Sequence, residues 1–208
     1  MSLSEPAKKR CANPKSSCRA SARRLRDAMP PELRRAASEH ISQNIIESDF
    51  FRRCDRLFCY YPAAGEADIL PVAREALRLG KTVGFPVCDY AAGEMEFYAV
   101  DDLFGMTPRG KLNIPEPNQN AARRITPTGR TMILFPGLLF DRAGHRIGYG
   151  RGMYDKYVRR FPELLSSAML TGVCYAALLS DTQIPSAKTD VSMTLIVTEK
   201  GLFVPSRV

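Results

Sequence analysis

The chain has no tryptophan and only two histidines, His40 and His145, so a catalytic imidazole would have to be one of two residues more than a hundred positions apart. Its six cysteines (11, 18, 54, 59, 88 and 174) form no C-x-x-C pair and have no His at ligand spacing, so neither a zinc site nor a disulfide framework is indicated. They read as reduced thiols of a cytoplasmic protein, mostly buried as small hydrophobes. No apolar run approaches the roughly 18 residues of a membrane helix. The longest, Met132 to Phe140, is interrupted by Pro136 and Gly137, so no membrane partner is expected. Lys8, Lys9 and Arg10 have no apolar segment behind them, which argues against a secretory signal.

What is present fits a globular protein. The 208 residues are 45% hydrophobic and 25% charged, enough for a sizeable core. The net charge of +8 raises the question of nucleic acid, but its distribution answers it. Residues 1–35 hold ten of the 30 Lys and Arg against three acids, and the remaining 173 residues are close to neutral. The charge belongs to an N-terminal segment, either a solvated helix face or a cover over an anionic ligand, and no nucleic-acid partner is expected.

Residues 1–12 read as a disordered tail and 13–208 as a single α/β domain entered through a helical segment. Asn13-Pro14 opens a helix, with Cys18, Ala22, Leu25 and Met29 at helical spacing, and Pro30-Pro31 ends it. Leu33, Ala37, Ile41 and Ile45 then mark one stripe of a second helix. From residue 57 onward, short apolar runs alternate with helical segments. Strands are expected at 57–61, 82–87, 95–100, 132–135, 168–175 and 193–198, with helices at 69–79 and 154–160. That alternation predicts a mostly parallel open sheet with helices on both faces.

Two segments resemble phosphate loops. Gly105 to Leu112 fits G-x-x-x-x-G-K, but it ends in Leu where the metal-holding hydroxyl should stand and contains Pro108, so it reads as an ordinary loop. The second carries Gly148, Gly150 and Gly152, whose missing Cβ atoms let backbone N–H groups approach an anion. Arg146 and Arg151 add guanidinium forks suited to phosphate, and Asp155 stands where a magnesium ion bridging nucleotide phosphates would want a carboxylate. Glu66 follows the first strand, on the side where open α/β sheets bind ligands, and either serves the site or caps the next helix.

The run from Phe135-Pro-Gly to Asp155, with Gly65-Glu66-Ala67-Asp68, Asn113-Ile-Pro-Glu-Pro117 and the Lys15-x-x-Cys18-Arg19 opening, resembles the 5-formyltetrahydrofolate cyclo-ligase family over roughly residues 15–200. The resemblance implies ATP-driven cyclisation of 5-formyltetrahydrofolate to 5,10-methenyltetrahydrofolate, with release of ADP and phosphate. It implies that Lys15, Arg19 and the segment Arg146, Ile147, Gly148, Tyr149, Gly150, Arg151, Gly152, Met153 and Tyr154 bind ATP. Asp155 and Asp190 would hold Mg²⁺. Tyr61 and Glu66, with Tyr149 to Met153, would meet the folate, and Lys15, Arg146 and Glu66 would carry catalysis. Arg23, Arg24, Arg26, Arg34 and Arg35 are left to the solvated surface, and the protein is expected to be monomeric or weakly associating.

Two positions depart from the family pattern. Tyr175-Ala-Ala-Leu178-Leu179 lacks a late-strand glutamine, and Thr189-Asp190 keeps an acid but not a preceding imidazole. A divergent member that binds nucleotide with lost or changed folate specificity is the alternative reading.

Overall fold

The structure is a computed structural model that describes residues 14–63, 65–109, 113–164 and 167–206. The expected tail, the Asn13 cap and the end of the first loop candidate (110–112) lie outside the described residues. Helix α1 (Pro14–Asp27) and helix α2 (Pro31–Glu47) are separated by the proline pair, because Pro31 is pre-set for a first helical position but cannot continue α1. Ser48 then closes α2 and opens α3 (Asp49–Arg53): its hydroxyl donates to the Ile45 carbonyl at 2.7 Å and accepts from Phe51 N–H at 3.1 Å.

The remaining elements in chain order are β1 (Arg56–Phe58), α4 (Leu70–Arg78), β2 (Thr82–Asp89), β3 (Glu94–Val100), β4 (Thr107–Arg109), β5 (Ile114–Glu116), β6 (Arg124–Ile125), β7 (Thr131–Pro136), β8 (Leu139–Asp141), β9 (Arg146–Ile147), α5 (Met153–Val158), β10 (Met169–Val173), β11 (Leu179–Ser180), β12 (Leu195–Thr198) and β13 (Gly201–Phe203). Eight strands form the main sheet in the order β13-β12-β10-β7-β1-β2-β3-β6. The five central strands from β12 to β2 are parallel, and β13, β3 and β6 are added antiparallel at the edges. Residues 131–135 of β7 and all of β12 are buried on successive positions, so both faces of the sheet are covered, as a parallel sheet requires.

Leu57 sits between Val83 and Met132, fixing β1 in the middle of the sheet. The chain leaves β1 toward β2 on one side, and β7 lies on the other. The carboxyl ends of β1 and β7 therefore flank a topological switch point, where such sheets open a crevice.

Two expected core positions are instead exposed: Leu25 and Leu33 face solvent, while the burial stripe of α2 runs through Ala37, Ser38, Ile41, Ser42 and Ile45. Two serines replace apolar residues there because each bonds the loop before α4: the Ser42 hydroxyl donates to the Asp68 carbonyl and the Ser38 hydroxyl accepts from Asp68 N–H. A smaller sheet, β11-β8-β9, follows the switch point. Its tight β8–β9 connection is held by Asp141, whose buried carboxylate accepts from the N–H groups of Ala143, His145 and Ile184 and pairs with His145 Nδ1 at 2.9 Å. This clasp sets the position of Arg146, the next residue.

Candidate active site

The crevice at the switch point is lined by residues just past three strand ends: Tyr60, Gly65 and Glu66 after β1, Pro136 and Gly137 at the end of β7, and Val173, Cys174 and Tyr175 at the end of β10. Helix α1 lies against it. Lys15, Arg19, Ala22 and Arg26 recur at helical spacing on one stripe, and Ala22 is the helix's buried residue. Arg19 Nε donates to the Gly148 carbonyl at 2.9 Å, and Arg26 Nη1 donates to the Tyr149 hydroxyl at 3.3 Å. Lys15 pairs with the Asp190 carboxylate. The glycine segment thus sits against the basic face of α1. At Gly150, with φ +97°, a Cβ would be 3.5 Å from the Arg19 guanidinium carbon, so the backbone bends back in a conformation that favours glycine.

Arg146 is held from two directions. Its Nη2 donates to Asp155 Oδ2 at 2.8 Å, and its guanidinium carbon lies 4.8 Å from the centre of the Phe135 ring. Among the described residues its buried Nη1 has no hydrogen-bond partner, and neither has the buried hydroxyl of Tyr154, which packs on the same Phe135 ring. Two orphaned donors beside one aromatic ring suit a ligand that brings acceptor oxygens.

Glu66 is buried, and that burial pushes its carboxyl up from the usual value, while the Tyr149 hydroxyl, the Ala63 N–H and Arg26 pull against the rise. The Ala63 N–H donates to Glu66 Oε2 at 2.8 Å, closing the loop on itself. Tyr175, which lies past the end of β10 and not within the expected strand 168–175, donates to the Glu66 carbonyl at 3.0 Å and so presents a hydroxyl to the same loop. Asp190 accepts the Ala187 N–H at 2.7 Å. Desolvation acts to raise its pKa, but Lys15, that N–H and Arg146 outweigh it and hold the carboxyl below its ordinary value.

The structure brings Lys15, Arg19, Arg146, Glu66, Asp155 and Asp190 around the glycine segment. Ile147 and Met153 are buried, and the Ile147 carbonyl accepts the Leu138 N–H at 2.8 Å, whereas Tyr149, Gly150, Arg151 and Gly152 are exposed. Tyr61 is half-buried, with its ring centre 6.3 Å from that of Phe85. Arg26 and Arg34 correct the sequence reading: neither is a solvated charge. Arg26 extends the stripe of Lys15 and Arg19, a spacing visible in the sequence. Arg34 lies on the next helix, and only the fold brings it to Gly65.

A divalent ion is tested by its donors. Among the described residues no group of three or more His, Cys, Asp or Glu forms a cage. The Val191 N–H donates to Asp155 Oδ1 at 3.0 Å, which ties Asp155 to the residue following Asp190 and brings two hard-oxygen donors into one corner. That set fits a magnesium ion that takes one or two carboxylates and completes its shell with water and phosphate.

The family model described as the 5-formyltetrahydrofolate cyclo-ligase family matches residues 12–199. A Caenorhabditis elegans protein named "Probable 5-formyltetrahydrofolate cyclo-ligase" is 29% identical over 170 residues, covering 78% of this chain and 81% of its own. An Arabidopsis thaliana protein named as the mitochondrial 5-formyltetrahydrofolate cyclo-ligase is 26% identical over 204 residues, covering 88% of this chain and 73% of its own. Among solved structures, the Aquifex aeolicus 5,10-methenyltetrahydrofolate synthetase superposes with a TM-score of 0.75 at 27% identity, over 91% of this chain and 92% of that one. With the family match spanning nearly the whole described fold, the chain belongs to the 5-formyltetrahydrofolate cyclo-ligase family, a family of ligases.

Proposed function

We propose that the protein converts 5-formyltetrahydrofolate and ATP to 5,10-methenyltetrahydrofolate, ADP and phosphate. The observation that supports this most is the seating of Arg19 on the Gly148 carbonyl and of Lys15 on the Asp190 carboxylate, with Glu66 at the switch point. Phosphate oxygens suit the Lys15 and Arg19 cations, the free Arg146 Nη1 and the loop N–H groups, because phosphoryl transfer depends mainly on positioning and charge stabilisation.

In the first step the formyl oxygen attacks the γ-phosphorus and ADP leaves. N10 of the folate then adds to the formyl carbon and gives up its proton, and the carbon–oxygen bond to phosphate breaks, leaving the methenyl cation. No Ser, Cys or His nucleophile is required. Arg146 and Lys15 hold the phosphoryl oxygens through both steps. Glu66 and Tyr61 orient the folate, and the Tyr149–Met153 segment covers the reacting atoms. Asp155 and Asp190 would hold a magnesium ion, which supplies charge neutralisation on the phosphate oxygens.

We read the enzyme as a monomeric or weakly associating protein of the cytoplasm, with reduced folate and ATP as its partners. Among the described residues no helix is long and apolar enough to cross a membrane. Incubation with 5-formyltetrahydrofolate, magnesium and ATP should generate the ultraviolet band of the methenyl product. No band from folded protein above a protein-free control refutes the reading. Calorimetry that finds ATP binding without reduced-folate binding would favour a divergent member whose Tyr175 environment takes another ligand.

A further inference from the structure

Two guanidinium groups converge on Gly65. Its φ is +85°, and a Cβ built there would lie 2.8 Å from Arg26 Nε and 3.1 Å from Arg34 Nη1. The bare Cα therefore admits a cation from α1 and a cation from α2 to one point, at the edge of the loop that carries Glu66. Arg26 is partly answered, by Asp27 at 3.2 Å and by the Tyr149 hydroxyl. Among the described residues no carboxylate lies within ion-pair distance of Arg34. Two like charges this close, one without a counter-ion, favour an anion between them.

The space is there to receive one. A cleft of about 470 Å³ opens beside Gly65 and Glu66, lined by Arg34, Arg35, Ser38 and Tyr175 together with the acids Glu39 and Asp68. The acids do not neutralise Arg34. Asp68 Oδ1 accepts the Leu70 N–H at 2.9 Å at the start of α4, and Glu39 is exposed on α2.

On the folate reading above, the reacting end of the substrate lies at Glu66. The other end of a folate is a glutamyl group bearing two carboxylates, and the cleft adjoins Glu66 while its lining includes no residue of α1 or of the glycine segment. We propose that Arg34, facing Arg26 across Gly65, binds a carboxylate of that glutamyl end. The guanidinium fork matches a carboxylate in a bidentate geometry, and the partly buried setting strengthens the pair.

The proposal is tested with two folates, 5-formyltetrahydrofolate and 5-formyltetrahydropteroate, the second lacking the glutamate, titrated into the wild-type protein and into Arg34→Gln with turnover measured in parallel. The wild type should bind the glutamate-bearing folate about tenfold more tightly than the pteroate. Arg34→Gln should erase that difference, leaving the affinity for the pteroate and the KM for ATP unchanged. Equal wild-type affinities for the two folates overturn the proposal without need of the variant. A rise in KM for ATP with no change for either folate also overturns it, and would assign the arginines to a nucleotide phosphate. Folate binding without methenyl formation would sink the cyclisation reading and leave the Arg34 result standing.

Discussion

The Arg146 guanidinium donates to the Asp155 carboxylate at 2.8 Å, and both side chains are largely buried. The cation proposed for nucleotide oxygens and the acid proposed for the metal thus neutralise one another. Removing one member of a buried pair strands the other charge, which costs about 3 kcal/mol. Arg146→Ala should therefore lower the melting temperature and raise KM for ATP. Adding Asp155→Ala should recover stability but not activity, a divergence that denaturant melts and turnover assays read separately.

Lys15 and Asp190 behave differently, because side-chain exposures of 21% and 23% leave the pair open to solvent screening. Such a pair contributes under about 1 kcal/mol. Lys15→Gln should reduce turnover and raise the ATP requirement at least tenfold while leaving the melting curve nearly unchanged. A large loss of stability with intact ATP affinity would remove Lys15 from the nucleotide site.

Glu66 makes stability depend on pH in a direction opposite to most carboxylates. Burial raises its folded-state pKa above the ordinary 4.5, so as pH climbs the unfolded chain releases this proton first. Stability from Glu66 is fully present below the ordinary value and lost as pH rises through the raised one. Neighbouring Tyr149 and Arg26 favour the ionised form and limit the loss. Glu66→Gln should reduce the decline in melting temperature as pH rises above the ordinary 4.5, and turnover at neutral pH should fall through weakened folate use.

Asp141 carries the opposite sign. Desolvation would raise its pKa, yet the Ile184 and His145 N–H groups and the His145 ring hold it below the ordinary 3.8. Its contribution is present above that ordinary value and lost as pH falls through the lowered one. Asp141→Asn should cost about 2 kcal/mol near neutrality, with the gap from the wild type closing in acid. Thermal melts across pH test both the size and the sign.

Much of this fold is legible in the sequence because local signals agree with the tertiary outcome. The Pro30-Pro31 break, the 37, 41, 45 stripe and the parallel strands around residues 57, 83 and 132 all appear as written. Leu25 and Leu33 mislead because periodicity shows that a face is apolar without showing how far the neighbouring layer extends over it. The antiparallel β2–β3 pairing is also not apparent, since a hairpin and a crossover can begin from similar apolar runs. At the site, the glycine segment announces itself by composition. Arg34 does not, because its proximity to Gly65 comes from packing between segments thirty residues apart.

Helix α1 buries a single residue, Ala22, and its grip on the rest of the molecule runs through Lys15, Arg19 and Arg26. A segment fastened by charge rather than grease is loosened by concentrated electrolyte long before the sheet gives way. Trypsin would then find Arg23 and Arg24 in molar salt while the main body still resists digestion, and a bound polyphosphate would shield the same bonds.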